Sequence, residues 1–275
     1  MALTAADSEF LRSLVRQRSG IVLGEDKGYL LESRLDPLAK AVGLGGLDAL
    51  AARLRTEPSG QLARQVVEAM TTNETFFFRD IHPFECLKRK VLPELVARRQ
   101  AERRLDVWCA AASTGQEPYS VTMALREFGA PIAGWPIRFV ATDIASEVLK
   151  RAREGRYSQL EVNRGLPAPL LIKYFTKDGL DWRVKDDLRR MVEFRELNLL
   201  ESYGLTGQFD IILIRNVLIY FDVETKKSIL AKCRRLLRPD GFLFLGGAET
   251  TLNLDDAFER VDFDKGGCYR LKGTP

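Results

Sequence analysis

The stretch Leu105–Ser120, LDVWCAAASTGQEPYS, decides how this chain is read. A short apolar strand runs into a turn of small residues, and Gln116-Glu117-Pro118 then opens a helix. That order builds a nucleotide-sized pocket at the carboxyl edge of the first strand of a doubly wound α/β sheet. Two acids accompany it: Glu117 at the helix start, and Asp143 at the end of the next strand, RFVATD. Of the Gly-x-Gly-x-x-Gly pattern only Gly115 is present, so Ala, Ser and Thr stand where a dinucleotide pyrophosphate needs bare backbone. A ligand without phosphate, such as S-adenosylmethionine, fits this turn better.

Outward from the turn, strands alternate with helices. Strands are expected at LDVWC, IRFVATD, VEFREL, FDIILIRN and GFLFLGG, with helices over 117–128, 145–153 and 223–237. Such alternation predicts a mostly parallel sheet with helices on both faces. The tail 258–272 reads as a hairpin on one sheet edge, turning around Lys265-Gly266-Gly267. The piece 157–190 reads as a small β insertion, because an Asp178-Gly179 turn is flanked by β-formers.

Upstream, residues 1–70 carry helical periodicity throughout. Thr4 is a candidate N-cap and Gly20 a stop for a first helix built on Phe10, Leu11, Leu14 and Val15. Tyr29 to Val42 marks a second, which Pro37 should kink or divide. Leu47 to Leu54 and Leu62 to Met70 mark two more, giving a small bundle. The expected organisation is therefore a helical domain (1–70), a linker that contributes to the pocket (71–90), and an α/β domain (91–275).

Composition narrows the chemistry. With 45% hydrophobic and 29% charged residues the chain resembles ordinary soluble globular proteins. No apolar run approaches the roughly 20 residues of a membrane span, and the N-terminus lacks a secretory pattern, so a cytoplasmic location is the default expectation. Cys86, Cys109, Cys233 and Cys268 are scattered without a Cys-x-x-Cys pair, and His82 is the sole histidine. Neither a disulfide framework nor a metal centre is expected. Residues 1–70 balance nine basic against nine acidic side chains, whereas 79–104 carry eight basic and four acidic. That second cluster reads as a solvated helix face or as steering toward an acidic partner.

Two further segments carry unusual chemistry. In TTNETFFFRD (71–80), three phenylalanines cannot share one helix face; two are expected in the core and one at a cleft. Asn73, Thr75 and Arg79 surround them, either as a cap and a surface arginine or as ligand contacts from a linker over the pocket mouth. In IILIRNVLIYFD (211–222), Arg215-Asn216 interrupts an apolar run, which sets Asn216 at the strand's carboxyl end and Tyr220 a turn further on. Asn198 stands just past VEFREL in a similar position, or as a plain turn residue.

Taken together, MTTNETFFFRD, WCAAASTGQEPYSVTMAL, ATDIASEVLKRAREGRY, VEFRELNLL and FDIILIRNVLIYFD resemble the chemotaxis receptor glutamate O-methyltransferase (CheR) family. The motifs stand in family order over nearly the whole chain. The resemblance implies a class I methyltransferase sheet of Rossmann-like type with an N-terminal helical receptor-recognition domain and a β insertion. It implies S-adenosyl-L-methionine as cofactor and S-adenosyl-L-homocysteine as product. Cofactor contacts would fall on Asn73, Thr75, Arg79, Glu117, Asp143, Asn198, Leu199, Asn216 and Val217. Asp143 suits the ribose hydroxyls, Glu117 and the backbone near Gly115 the cationic methionine end, and Asn198 and Leu199 the adenine.

The reaction implied is methyl transfer to glutamates of a chemoreceptor's cytoplasmic helical bundle, with γ-methyl esters as product. Arg79 and Tyr220 are the expected catalytic pair, orienting the carboxylate rather than moving a proton. The expected state is a monomer that inserts into no membrane and binds no nucleic acid. Receptor docking would use Arg34, Lys40, Arg53, Arg55 and Arg64, although the helical domain is charge-neutral. The insertion lacks the Gly-x-Gly loop associated with binding a receptor's C-terminal tether, so tether-independent recognition is expected. Alternative readings are another S-adenosylmethionine methyltransferase, acting on RNA, and a non-catalytic receptor-binding module.

Overall fold

The computed structural model describes residues 3–263 and 267–273, and the chain divides into two compact units. The first comprises residues 1–72 with two short segments from later in the chain, Asn198–Ser202 and Tyr220–Thr225. Its helices are α1 (Ala5–Ser19), α2 (Gly28–Ala41), α3 (Leu47–Thr56) and α4 (Gln61–Met70). Thr4 caps α1 by accepting the Asp7 N–H, and Gly20 ends it in the left-handed conformation. Leu11, Leu14, Leu31, Leu35, Leu50, Leu54, Val66 and Met70 close a core among the four helices. Of the kink or division expected at Pro37, the division does not occur, and α2 runs through it as one helix. Ser33, whose carbonyl loses its partner to the proline, is exposed, so water can take that bond.

The two later segments belong to this unit through specific bonds. Ile21 pairs with Phe221 in a single antiparallel bridge, and the Val22 N–H donates to the Tyr220 carbonyl at 2.9 Å. Arg16 pairs with Asp222 at 2.7 Å, and the Asn198 amide donates to the Arg18 carbonyl at 2.7 Å.

The second unit opens with α5 (His82–Cys86), a π-helical stretch (Leu87–Val91) and α6 (Leu92–Arg98). Then follow β1 (Leu105–Ala110), α7 (Gln116–Phe128), β2 (Ile137–Asp143) and α8 (Ser146–Glu154). The insertion is built from β3 (Arg156–Tyr157), α9 (Gln159–Asn163), α10 (Ala168–Tyr174), β4 (Phe175–Asp178), β5 (Asp181–Val184) and α11 (Asp186–Arg189). It is thus half helical rather than purely β, around a three-stranded antiparallel sheet in the order β3-β5-β4. The chain closes with β6 (Val192–Glu196), β7 (Phe209–Ile214), α12 (Val223–Leu236), β8 (Leu237–Leu245), β9 (Phe258–Arg260) and β10 (Cys268–Leu271).

The main sheet has seven strands in the order β6-β2-β1-β7-β8-β10-β9. All pairs are parallel except those made by β10, which completes the expected late hairpin with β9 at one edge. Of the turn expected there, Lys265 and Gly266 lie outside the described residues. Every residue of β1 and β7 is buried, as central parallel strands covered on both faces require. The strand order reverses beside β1, with β2 on one side and β7 on the other. That switch point places the β1–α7 turn and the end of β7 together at the carboxyl edge, where ligands bind in such sheets. At the opposite edge, buried Arg99 bridges Asp210 at 2.8 Å and Asp240 at 2.6 Å, and the Asp106 N–H donates to Asp210.

Candidate active site

The β1–α7 turn takes its shape from its neighbours. Gly115 has a φ of +94°, and a Cβ there would lie 3.0 Å from both the Ala152 methyl and the Tyr157 hydroxyl. Only glycine satisfies both demands. The buried Tyr157 hydroxyl donates to the Thr114 carbonyl at 2.7 Å, which fixes the turn from below. Burial pushes this phenol well above its ordinary pKa, so it stays neutral and keeps the bond.

Asp143, at the end of β2, accepts the N–H of Ser113 at 2.8 Å and of Ala145 at 3.0 Å. Its carboxylate therefore ties the β1 turn to the β2 turn. The Ser113 hydroxyl donates to the Asn73 carbonyl at 2.8 Å and brings the 73–80 segment to the same edge.

In that segment Phe77 alone is fully buried, with its ring edge-on to Tyr157 at 5.0 Å. Phe78 packs partly against the same core, and Phe76 lies under the Arg164 and Arg79 guanidiniums. Of the two phenylalanines expected in the core, Phe77 is fully buried and Phe78 packs at its margin, while charged groups cover Phe76. Thr75 is half-buried beside them and lines a cavity of about 980 Å³ with Asn73, Thr114 and Gln116.

Glu117 opens α7, but its carboxylate faces a partner within the protein. It forms a buried ion pair with Arg215 and accepts the Cys109 S–H at 3.4 Å. Burial first, and the Glu117 charge second, push the Cys109 thiol well up. Arg215 also reaches the Asp80 carboxylate at 2.9 Å and the Arg79 carbonyl at 3.0 Å. Arg79 itself donates to the Glu74 carbonyl at 2.9 Å and has no carboxylate partner among the described residues. The two arginines thus differ: one is matched within the protein, the other is open to an acidic ligand.

Asn216 and Val217 form a turn just beyond β7, with Asn216 at a φ of +57°. Their N–H groups, together with those of Leu218 and Gly246, all donate to Glu249, at 2.7, 2.9, 2.7 and 2.6 Å respectively. Gly246 is required there, since a Cβ would lie 2.8 Å from the Asn216 nitrogen. Neither Glu249 nor Arg215 was among the residues singled out from sequence as ligand contacts. For Arg215 a signal existed: an arginine inside the apolar run IILIRNVLIYF must be buried and paired. For Glu249 the sequence offers no spacing signal, because its partners come from another strand end.

Asn198, Leu199 and Tyr220 belong to the first unit. The Asn198 side chain is engaged there, donating to Arg18 and accepting the Leu200 N–H at 3.0 Å. Leu199 is buried, and Tyr220 ends a short 3-10 turn (Leu218–Tyr220).

Of the basic residues expected to dock a partner, Arg34 donates inward to the Met70 and Thr71 carbonyls. Lys40, Arg53 and Arg55 pair with Asp36, Glu57 and Asp7. Arg64 alone has no partner among the described residues. In the 79–104 cluster Arg89, Lys90 and Arg98 pair with Glu85 and Glu94, and Arg99 is buried rather than solvated. All four cysteines are buried free thiols, and the described residues hold no cluster able to bind a metal ion. No helix among them is long and apolar enough to cross a membrane.

The donor set of the second unit fits a cationic nucleoside without phosphate. Asp143, Glu117 and Glu249 converge on the turns after β2, β1 and β7, while the buried cation Arg215 is already matched by Glu117 and Asp80. Comparison with known families agrees with this chemistry. The description "CheR methyltransferase, all-alpha domain" matches residues 6–71, and "CheR methyltransferase, SAM binding domain" matches residues 73–266. The chain is 45% identical to chemotaxis protein methyltransferase 1 of Pseudomonas aeruginosa, over 99% of this chain and 100% of that protein. It is 44% identical to chemotaxis protein methyltransferase Cher2 of Pseudomonas putida, over 97% and 98%. Its identity to chemotaxis protein methyltransferase 1 of Vibrio cholerae is 43%, over 98% and 99%. With matches of this extent, the chain belongs to the CheR methyltransferase family and is an S-adenosylmethionine-dependent methyltransferase.

Proposed function

We propose that this enzyme methylates glutamate side chains on the cytoplasmic helical bundle of chemoreceptors, forming γ-glutamyl methyl esters and S-adenosylhomocysteine. The observation that carries this reading is Arg79, whose guanidinium has no carboxylate partner among the described residues while nearby Arg215 is matched by Glu117 and Asp80. When bound, S-adenosylmethionine supplies an electrophilic methyl on a sulfonium. A glutamate with a pKa of about 4.3 is already ionised at neutral pH, so the protein needs no general base. Its task is to strip water from the carboxylate and align one oxygen with the methyl and sulfur, which is catalysis by positioning. Arg79 holds that carboxylate, and Tyr220 orients it with a hydrogen bond.

For the cofactor, Asp143 takes the ribose hydroxyls and Asn198 and Leu199 the adenine. Asn73, Thr75, Arg79, Glu117, Asn216 and Val217 complete the contacts. The anionic side chains at the strand ends favour a cationic ligand over a phosphate. The helical domain is the receptor-recognition part, and the enzyme works in the cytoplasm as a monomer without nucleic acid. The even charge balance of residues 1–70 supports a protein partner over RNA.

The test is incubation with methyl-labelled S-adenosylmethionine and receptor cytoplasmic fragments, followed by mild alkali. Label on receptor glutamate that alkali releases is the expected result. Label on RNA, or alkali-stable label on the receptor, overturns the reading.

A further inference from the structure

Arg215 is the most deeply buried cation near the β-strand ends; its side chain is fully inaccessible. Its three partners come from two places far apart in sequence: Glu117 at the start of α7, and the Arg79 carbonyl and Asp80 carboxylate before α5. The Phe84 ring lies 5.9 Å from the guanidinium carbon and covers it.

The segment that Arg215 grips is strained. Phe78, Asp80 and Ile81 have φ values of +49°, +68° and +41°. For side chains with a Cβ, and for a β-branched isoleucine above all, such values are costly and persist only where surrounding bonds impose them. At the two ends the Phe78 ring packs against Phe84 at 5.0 Å, and the Ile81 carbonyl accepts the N–H groups of Phe84 and Glu85 at 3.0 and 3.1 Å. The Phe78 N–H donates to the Ser120 hydroxyl at 2.9 Å, and the Ile81 N–H donates to the Phe78 carbonyl at 3.0 Å. Ile81 itself is 58% exposed, so packing does not hold it. Arg215 adds a restraint in the middle of the segment, between these two ends. Arg79 lies between the strained residues, and its carbonyl is one of the atoms held.

We infer that Arg215 is a positioning residue: it clamps the strained Phe78–Ile81 segment to Glu117 and thereby fixes the direction in which Arg79 presents its guanidinium. It touches neither cofactor nor receptor. The inference rests on the assignment of Arg79 to the acceptor carboxylate. Asp80 is the arm of the clamp that can be altered without endangering the fold, because its side chain is 44% exposed.

The test is a double-mutant cycle between Asp80→Asn and Arg79→Ala, read as kcat/KM for a receptor fragment at saturating cofactor. Asp80→Asn keeps the side chain's size and removes the charge that Arg215 holds. It should lower kcat/KM about tenfold with an unchanged melting curve. In the Arg79→Ala background the same substitution should cost nothing further, since the group being positioned is gone. Arg215→Lys, which keeps the charge but lacks the planar fork that reaches Glu117, Asp80 and the Arg79 carbonyl at once, should follow the same pattern provided its melting curve shows a folded protein. Wild-type kcat/KM in Asp80→Asn, or losses that multiply in the double variant, would overturn the clamp. Failure of the wild-type enzyme to methylate the fragment would instead count against the assigned reaction.

Discussion

Asp143 accepts two backbone N–H groups from two different turns, so one carboxylate both shapes the strand edge and sets an anion beside it. Replacing it with alanine should therefore have two effects. Each buried N–H left without an acceptor destabilises the fold by about 1–3 kcal/mol, and affinity for S-adenosylmethionine should fall at least about tenfold. Calorimetry on the folded variant decides the point: unchanged affinity would remove Asp143 from the cofactor site. At this scale the sequence was readable where chemistry follows local order. Gly115, Asp143 and Asn216 stand at the ends of recognisable strands, and strand ends are where such sheets bind ligands. Arg215 and Glu249 were harder to see. Arg215 meets Asp80 across 135 positions and Glu249 meets Asn216 across 33, and periodicity within one element carries no information about either contact.

Among the elements, the segments after β6 and β7 belong to the helical unit as firmly as its own helices do. Arg16 of α1 pairs with Asp222, two residues beyond Tyr220. The Asp222 carboxyl is pulled down to about 2, first by the Thr225 N–H, then by the Thr225 hydroxyl and Arg16. A depressed carboxylate adds stability that is complete above its unfolded pKa of about 3.9 and is lost as pH falls toward 2. Wild type should thus exceed Asp222→Asn in unfolding free energy by a constant margin above about pH 5, and the margin should close toward pH 2. Denaturant titrations across that range measure it; a margin independent of pH would show that the charge contributes nothing. Sequence periodicity located these elements well, and of the kink or division expected at Pro37 the division is absent, since Ser33 is exposed and water can take its carbonyl's bond. It found the small β insertion from the Asp178-Gly179 turn but not the short helices α9 and α10 beside it, which are too brief to carry a periodic signal.

For the whole molecule, the mostly parallel sheet, the helical unit and the late hairpin were legible in the alternation of apolar runs, whereas the strand order β6-β2-β1-β7-β8-β10-β9 was not. The motifs TTNETFFFRD and IRNVLIYFD added what alternation could not, namely the family and its reaction. The methyl acceptor is proposed to be a carboxylate, ionised before it arrives and held by Arg79 rather than by a base. Label transfer to two receptor fragments that differ only in glutamine for glutamate at the methylated positions tests this. Alkali-labile label is expected on the glutamate fragment and none on the glutamine fragment. Equal labelling of both would contradict it.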